Sequence, residues 1–153
     1  MNPIRSILAV LVIGVLAGCA TTTVVTNPPR EVLAPLDGTH WQLVGADRGP
    51  LGELQAAARK VTLGFVEGRA YGNAGCNRYF SSYEIVGERL ILGEAGTTKM
   101  YCAGEADEVE RAFLPLLEHP LLLTRDRKML ELRAGDGTTL RFEPAAAPAM
   151  PAQ

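Results

Sequence analysis

A mainly antiparallel α+β domain, with about 7–8 short strands and one amphipathic helix packed against them, is the expected fold of this 153-residue chain. Three observations predict it. Short runs in which apolar and polar residues alternate recur between His40 and Phe142, each bounded by Gly, Asp or Glu at a turn. One segment, residues 105–118, instead spaces its apolar residues at the helical period. The composition, 47% apolar and 21% charged, is that of a globular chain rather than a disordered one, and the length suits one domain with appendages.

The appendages come first. Arg5 precedes residues 7–16, an unbroken apolar run of 10 residues. That is the length of a signal-peptide core and well short of the ~20 residues that a spanning helix needs. The run ends in Leu16-Ala17-Gly18-Cys19, which resembles the lipobox of bacterial lipoproteins. The resemblance implies that residues 1–18 are a signal peptide, that Cys19 is lipidated, and that cleavage falls before it. With Ala20 next, not Asp, it further implies the periplasmic face of the outer membrane. Removing Arg5 leaves 14 basic against 17 acidic side chains, so the lipid rather than surface charge would attach the protein to the membrane. The same balance, with no Lys/Arg cluster, excludes a nucleic-acid partner. Residues 19–35 hold Thr21-Thr22-Thr23, Pro28-Pro29 and Pro35 with no helical period and read as a tether, and residues 145–153 read as a disordered tail. The folded unit is then residues 36–144, 109 in number, enough for one modest core.

Within the unit, residues 40–44 alternate, and residues 61–65 place Val61, Leu63 and Phe65 on one face. Glu67-Gly68 turns the chain into residues 69–73, a hairpin. Residues 79–86 and 89–92 flank Gly87-Glu88, a second hairpin. Residues 121–124, 129–133 and 138–142, split by Arg125-Asp126-Arg127 and Gly135-Asp136-Gly137, read as a meander. The helix carries Val109, Ala112, Phe113, Leu116 and Leu117 on one face, with Glu105, Asp107 and Glu108 in its first turn, where the helix dipole favours negative charge. Pro115 should kink or end it near Leu114. A weaker helical stretch covers residues 52–60, with Leu54, Ala57 and Ala58.

With Cys19 lipidated, Cys76 and Cys102 remain, 26 positions apart in an oxidising compartment, and such a pair is most simply a disulfide. Gly72-Asn73-Ala74-Gly75-Cys76-Asn77-Arg78-Tyr79, followed by Thr98-Lys99-Met100-Tyr101-Cys102, resembles the META domain of HslJ-like proteins. Trp41-Gln42-Leu43 near the start, and Leu130-Glu131-Leu132 leading to Gly137-Thr138-Thr139-Leu140-Arg141-Phe142, fit the same pattern. The resemblance implies a small barrel-like sheet with one helix, in secreted or lipid-anchored envelope proteins linked to stress tolerance.

The motif has a structural reading. Gly75 would let the strand pass close to its neighbour, Asn77 would bond its own turn, and Thr98 would satisfy a nearby backbone group. It also has a ligand reading, a small-molecule site of Asn77, Arg78 and Thr98. A thiol enzyme would pair Cys76 or Cys102 with His40 or His119, and a metal would take all four, but no histidine neighbours a cysteine and the cysteines lack paired spacing. Asp107, Glu108 and Glu110 lie close together on the helix and read as a solvated turn rather than an acid–base pair. The expectation is a non-enzymatic binding or structural module of the cell envelope with no cofactor and no metal. Its partners would be the membrane, through the lipid, and an envelope protein or small ligand.

Overall fold

The computed structural model describes residues 35–147. The expected signal peptide, the expected lipidation site Cys19, all of the expected tether but Pro35, and the last six residues of the expected tail lie outside the described residues.

Alternation builds the strands. β1 (His40–Ala46) buries Trp41 and Leu43 and leaves Gln42 exposed between them. Two short helices, α1 (Pro50–Glu53) and α2 (Gln55–Ala58), stand in place of the single helical stretch expected, because Leu54, with φ −92° and ψ 45°, interrupts them. Val61, Leu63 and Phe65, the predicted inward face, are fully buried in and just before β2 (Thr62–Val66). Glu67 and Gly68 both have positive φ, as a two-residue type I′ turn requires, and lead into β3 (Arg69–Asn73). β4 (Arg78–Val86) and β5 (Arg89–Leu92) form the second hairpin around Gly87, φ 62°. A two-residue strand, β6 (Gly96–Thr97), pairs with Tyr79 and Phe80. After α3 (Glu105–Leu117), the meander β7 (Leu121–Arg125), β8 (Leu130–Arg133) and β9 (Thr139–Pro144) completes the sheet.

The nine strands run β3-β2-β1-β9-β8-β7-β5-β4-β6, and β3 also pairs with β4, so the antiparallel sheet closes into a ring. The count is one above the upper expectation because β6, at two residues, is too short for alternation to reveal. Inside the ring, Leu43, Leu63, Phe65, Leu90, Leu132 and Phe142 are fully buried. Each such side chain contributes roughly 1.5–3 kcal/mol by leaving water.

α3 joins this core through Val109, Phe113 and Leu117. Its Phe113 ring meets Tyr79 edge-on at 5.7 Å. The helix runs through Pro115 rather than ending near Leu114. Pro115 sits on the exposed side, two residues from the end, so its missing N–H costs one bond of the last turn. Leu117, 3% exposed, anchors that turn to the core and offsets the loss. The tail begins later than expected, since the Ala145 amide still donates to the His40 carbonyl.

Three turns are capped by carboxylates. Asp47 accepts the Thr139 amide at 2.8 Å, Asp136 the Thr138 amide at 2.8 Å, and Asp126 the Lys128 and Met129 amides at 2.7 Å. These bonds favour the charged form and hold all three carboxyls below the usual carboxylate range. Their contribution is therefore complete above the unfolded-state pKa of about 4 and is lost as pH falls through the lower folded values. We expect the urea midpoint to decline below about pH 4, and the variant with all three as Asn to show a flatter decline there. An unchanged slope would mean that the caps titrate as they do in the unfolded chain.

Candidate functional site

The predicted site residues meet where β3 ends and β4 begins. Asn73 closes the turn by accepting the Gly75 amide through Oδ1 at 2.7 Å, and the Ala74 amide donates to the Asn77 carbonyl at 2.8 Å. Gly75 has φ 118°, a conformation open to glycine, and a Cβ there would lie 2.8 Å from the Ala106 carbonyl and 2.9 Å from Val109 Cγ1. The glycine thus makes room for α3, not for a neighbouring strand as the sequence suggested.

That approach brings Glu110 to Asn77. Asn77 is 5% exposed, and its side chain bonds mainly across the chain, with a longer contact of 3.5 Å from Nδ2 to Cys76 Sγ within its own turn. Nδ2 donates to Glu110 Oε1 at 3.0 Å and to the Met100 carbonyl at 3.2 Å. Oδ1 accepts the Thr98 hydroxyl at 2.8 Å and the Met100 amide at 2.7 Å. An Asn side chain offers two donors and two acceptor lone pairs, so this one is saturated. The Asn77 backbone amide also donates to Glu110 Oε2, at 2.5 Å. Thr98 Oγ1 accepts the Arg78 amide at 3.1 Å, and the Thr98 amide returns a bond to the Arg78 carbonyl at 3.0 Å. Cys76 and Cys102 form a disulfide with their Cα atoms 6.0 Å apart. Segment 98–102 is therefore held at Thr98, Met100 and Cys102.

The Met100 and Tyr101 side chains face the other way. Met100 is 58% exposed and Tyr101, between two pinned residues, 94%. The corner fixes a backbone and presents two large apolar side chains to solvent.

The remaining candidates are dispersed. The Arg78 side chain is exposed and joins none of these bonds. His40 Nε2 is hydrogen-bonded to the Tyr71 hydroxyl on the outer face of the sheet, and His119 is exposed just past the C-terminal end of α3. Tyr79 is buried beside the corner with its hydroxyl donating to the Thr62 carbonyl at 2.9 Å, and burial pushes that phenol far above its ordinary value. Among the described residues no group of three His, Cys, Asp or Glu side chains is placed to hold a metal ion.

Glu110 is the functional residue that sequence reasoning missed. Grouping it with the solvated acids overlooks its place one turn after Ala106 and next to Val109, at the border of the buried helix face. That border position is the signal the sequence offers.

Residues 34–147 match the family model described as META domain. The chain belongs to the META domain family. Among solved structures, the protein from Burkholderia xenovorans determined by NMR is 28% identical, with a TM-score of 0.60, covering 79% of this chain and 98% of its own. A DUF4847 family protein from Bacteroides vulgatus ATCC 8482 shares the fold at 13% identity, with a TM-score of 0.51, covering 71% of this chain and 93% of its own. No curated protein matches. The two half-motifs are thus, in this META domain, the two sides of one hydrogen-bonded and disulfide-linked corner.

Proposed function

We propose that this META domain is a non-enzymatic binding module of the cell envelope, carried by a lipid on Cys19, with segment 98–102 as its contact loop. The observation that carries the reading is the division of labour at the corner. The polar capacity of Asn77 and Thr98, and both sulfurs, are spent on holding the loop, while Met100 and Tyr101 add nothing to the core. An aromatic side chain on a backbone already ordered binds with little further entropy cost, which is why such residues dominate interface energetics. The anchor is supported by Leu16-Ala17-Gly18-Cys19 following an apolar run. Envelope stress tolerance is the setting that the likeness to HslJ-like proteins suggests. A small-ligand or thiol site at Gly75-Cys76-Asn77 is disfavoured by the same saturation.

The test is made in a bacterial host with the full chain. Wild type should incorporate a palmitate analogue and sediment with membranes, and Cys19→Ala should lose both properties. A photo-crosslinking amino acid at position 101 should capture a discrete envelope partner that the same probe at outward-facing Arg133 does not. Tyr101→Ala should abolish capture by a probe at position 100 and change stability by no more than about 0.5 kcal/mol. Membrane attachment surviving Cys19→Ala would overturn the anchor, and equal capture from positions 101 and 133 would overturn the contact loop.

A further inference from the structure

On the outer face of β3 and β4, two aromatic side chains are laid along the sheet between two arginines. We propose that this face binds an acidic glycan, a chain of pyranose rings bearing carboxylates. It shares no residue with segment 98–102 and does not depend on the contact loop.

Alternation sets the face. Ala70, Tyr79 and Ser81 are buried, which turns Arg69, Tyr71 and Asn73 of β3 and Arg78, Phe80 and Ser82 of β4 outward. Register places them in three facing pairs: Arg69 with Ser82, Tyr71 with Phe80, and Asn73 with Arg78. The rings thus hold the centre and the arginines two opposite corners. Each ring leans away from the other, over a glycine of the next strand. A Cβ on Gly96 of β6 would lie 2.5 Å from Phe80 Cζ and 2.7 Å from Phe80 Cε2, and a Cβ on Gly64 of β2 would lie 2.8 Å from Tyr71 Cζ. A side chain that reaches the neighbouring strand lies down on the sheet and turns ring surface to solvent, and Phe80 is 58% exposed. Tyr71 is held in place by the hydrogen bond of its hydroxyl with His40, whose ring meets it edge-on at 5.4 Å. The two ring tips stand three strand spacings apart, roughly 14 Å.

Rings that lie down suit a flat partner with a weakly apolar face. A pyranose has one: its C–H groups carry the partial positive charge that the negative face of an aromatic ring attracts. One sugar does not reach both rings, so the ligand is a chain. The charge of the face selects an anion. β2, β3 and residues 78–82 of β4 contain no Asp or Glu, and among the described residues neither Arg69 nor Arg78 enters an ion pair. Each guanidinium is a fork that matches one carboxylate. Asn73 and Ser82, at the remaining corners, are of the types that hydrogen-bond hydroxyls. Covering a glycine accounts for where each ring lies, but it calls for no arginine beside it. A lipid bilayer fits less well, because rings lying on the sheet do not insert between acyl chains. An added peptide strand has no edge to pair with, since β3 and β4 are both paired on each side.

The full chain, purified in a neutral polyoxyethylene detergent, is titrated by calorimetry with three hexamers: hexamannuronate, neutral cellohexaose and hexaglutamate. The ring signals of Tyr71 and Phe80 are followed in parallel by NMR. Hexamannuronate is expected to bind saturably and to move both rings. Cellohexaose lacks the carboxylates and hexaglutamate lacks the sugar rings, so each should bind at least tenfold more weakly. Phe80→Ala and the double variant Arg69→Gln/Arg78→Gln should each weaken hexamannuronate at least tenfold, with the urea midpoint close to that of wild type. Gly96→Ala keeps every proposed contact residue, but its Cβ displaces the Phe80 ring tip from the sheet, and it should weaken binding severalfold. The proposal is overturned if hexamannuronate does not bind or leaves the two rings unmoved. It is equally overturned if either control hexamer matches hexamannuronate, or if Phe80→Ala, the double arginine variant or Gly96→Ala binds as wild type does.

Discussion

Cys76→Ala is expected to lower the unfolding temperature by roughly 10–15 °C. The bridge to Cys102 closes a loop of 26 residues, and in the chain-entropy model this is worth about 3.5 kcal/mol. The folded unit has about 110 residues, so each kcal/mol corresponds to about 4 °C. For a domain of this size that is a large share of the total stability. Two observations separate this effect from the loss of side-chain packing. Reduction of the wild type should reproduce the shift, and the double variant Cys76→Ala/Cys102→Ala should be no less stable than either single one. Intact mass after alkylation without reduction should show both sulfurs protected. A shift below a few degrees would mean that the hydrogen bonds of Asn77 hold segment 98–102 unaided. Proton exchange at the Met100 amide would then stay slow after reduction.

What the sequence makes legible is what local pattern determines. Alternation and turn residues locate eight strands, and the 3.6-residue period locates α3, because each of these signals lies within a dozen residues. β6 has no period to read. Ring closure joins β1 to β9 and β3 to β4, and the first of these pairings depends on the twist of the whole sheet, not on any segment. The helix end that Pro115 suggests near Leu114 is not seen, because the cost of the proline is local while its compensation, the burial of Leu117, is tertiary. At the site, the motif itself is visible, but its meaning lies in Glu110, 33 residues from Asn77. The contact of Arg125 with the Trp41 ring is hidden for the same reason: the two say nothing to each other until the ring brings β1 and β7 to one end.

Asn77→Ala should cost roughly 3–4 kcal/mol, a loss comparable to that of the bridge. It leaves the Thr98 hydroxyl proton, both backbone groups of Met100 and Glu110 Oε1 without their partner, at about 1–3 kcal/mol for each group that water cannot reach. Asn77→Asp isolates the chemistry from the shape. The retained oxygen still accepts from Thr98 and Met100, but the amide nitrogen becomes an oxygen facing Glu110 Oε1 across 3.0 Å. Two carboxylates at that distance cannot both ionise cheaply, so one folded-state pKa rises above its unfolded value. The deficit relative to wild type should therefore be full at neutral pH and shrink as pH falls through the raised value, where a shared proton restores a donor. Adding Glu110→Gln supplies that donor at all pH values, with the Gln oxygen still accepting the backbone amide of residue 77. Recovery will be partial, since the new oxygen also faces the Met100 carbonyl at the 3.2 Å that a hydrogen bond spans in the wild type. Chemical denaturation of the three variants between about pH 4 and 8 decides the matter. If Asn77→Asp is as stable as wild type at neutral pH, or if Glu110→Gln worsens it, the Asn77–Glu110 contact is not what joins the motif to the helix.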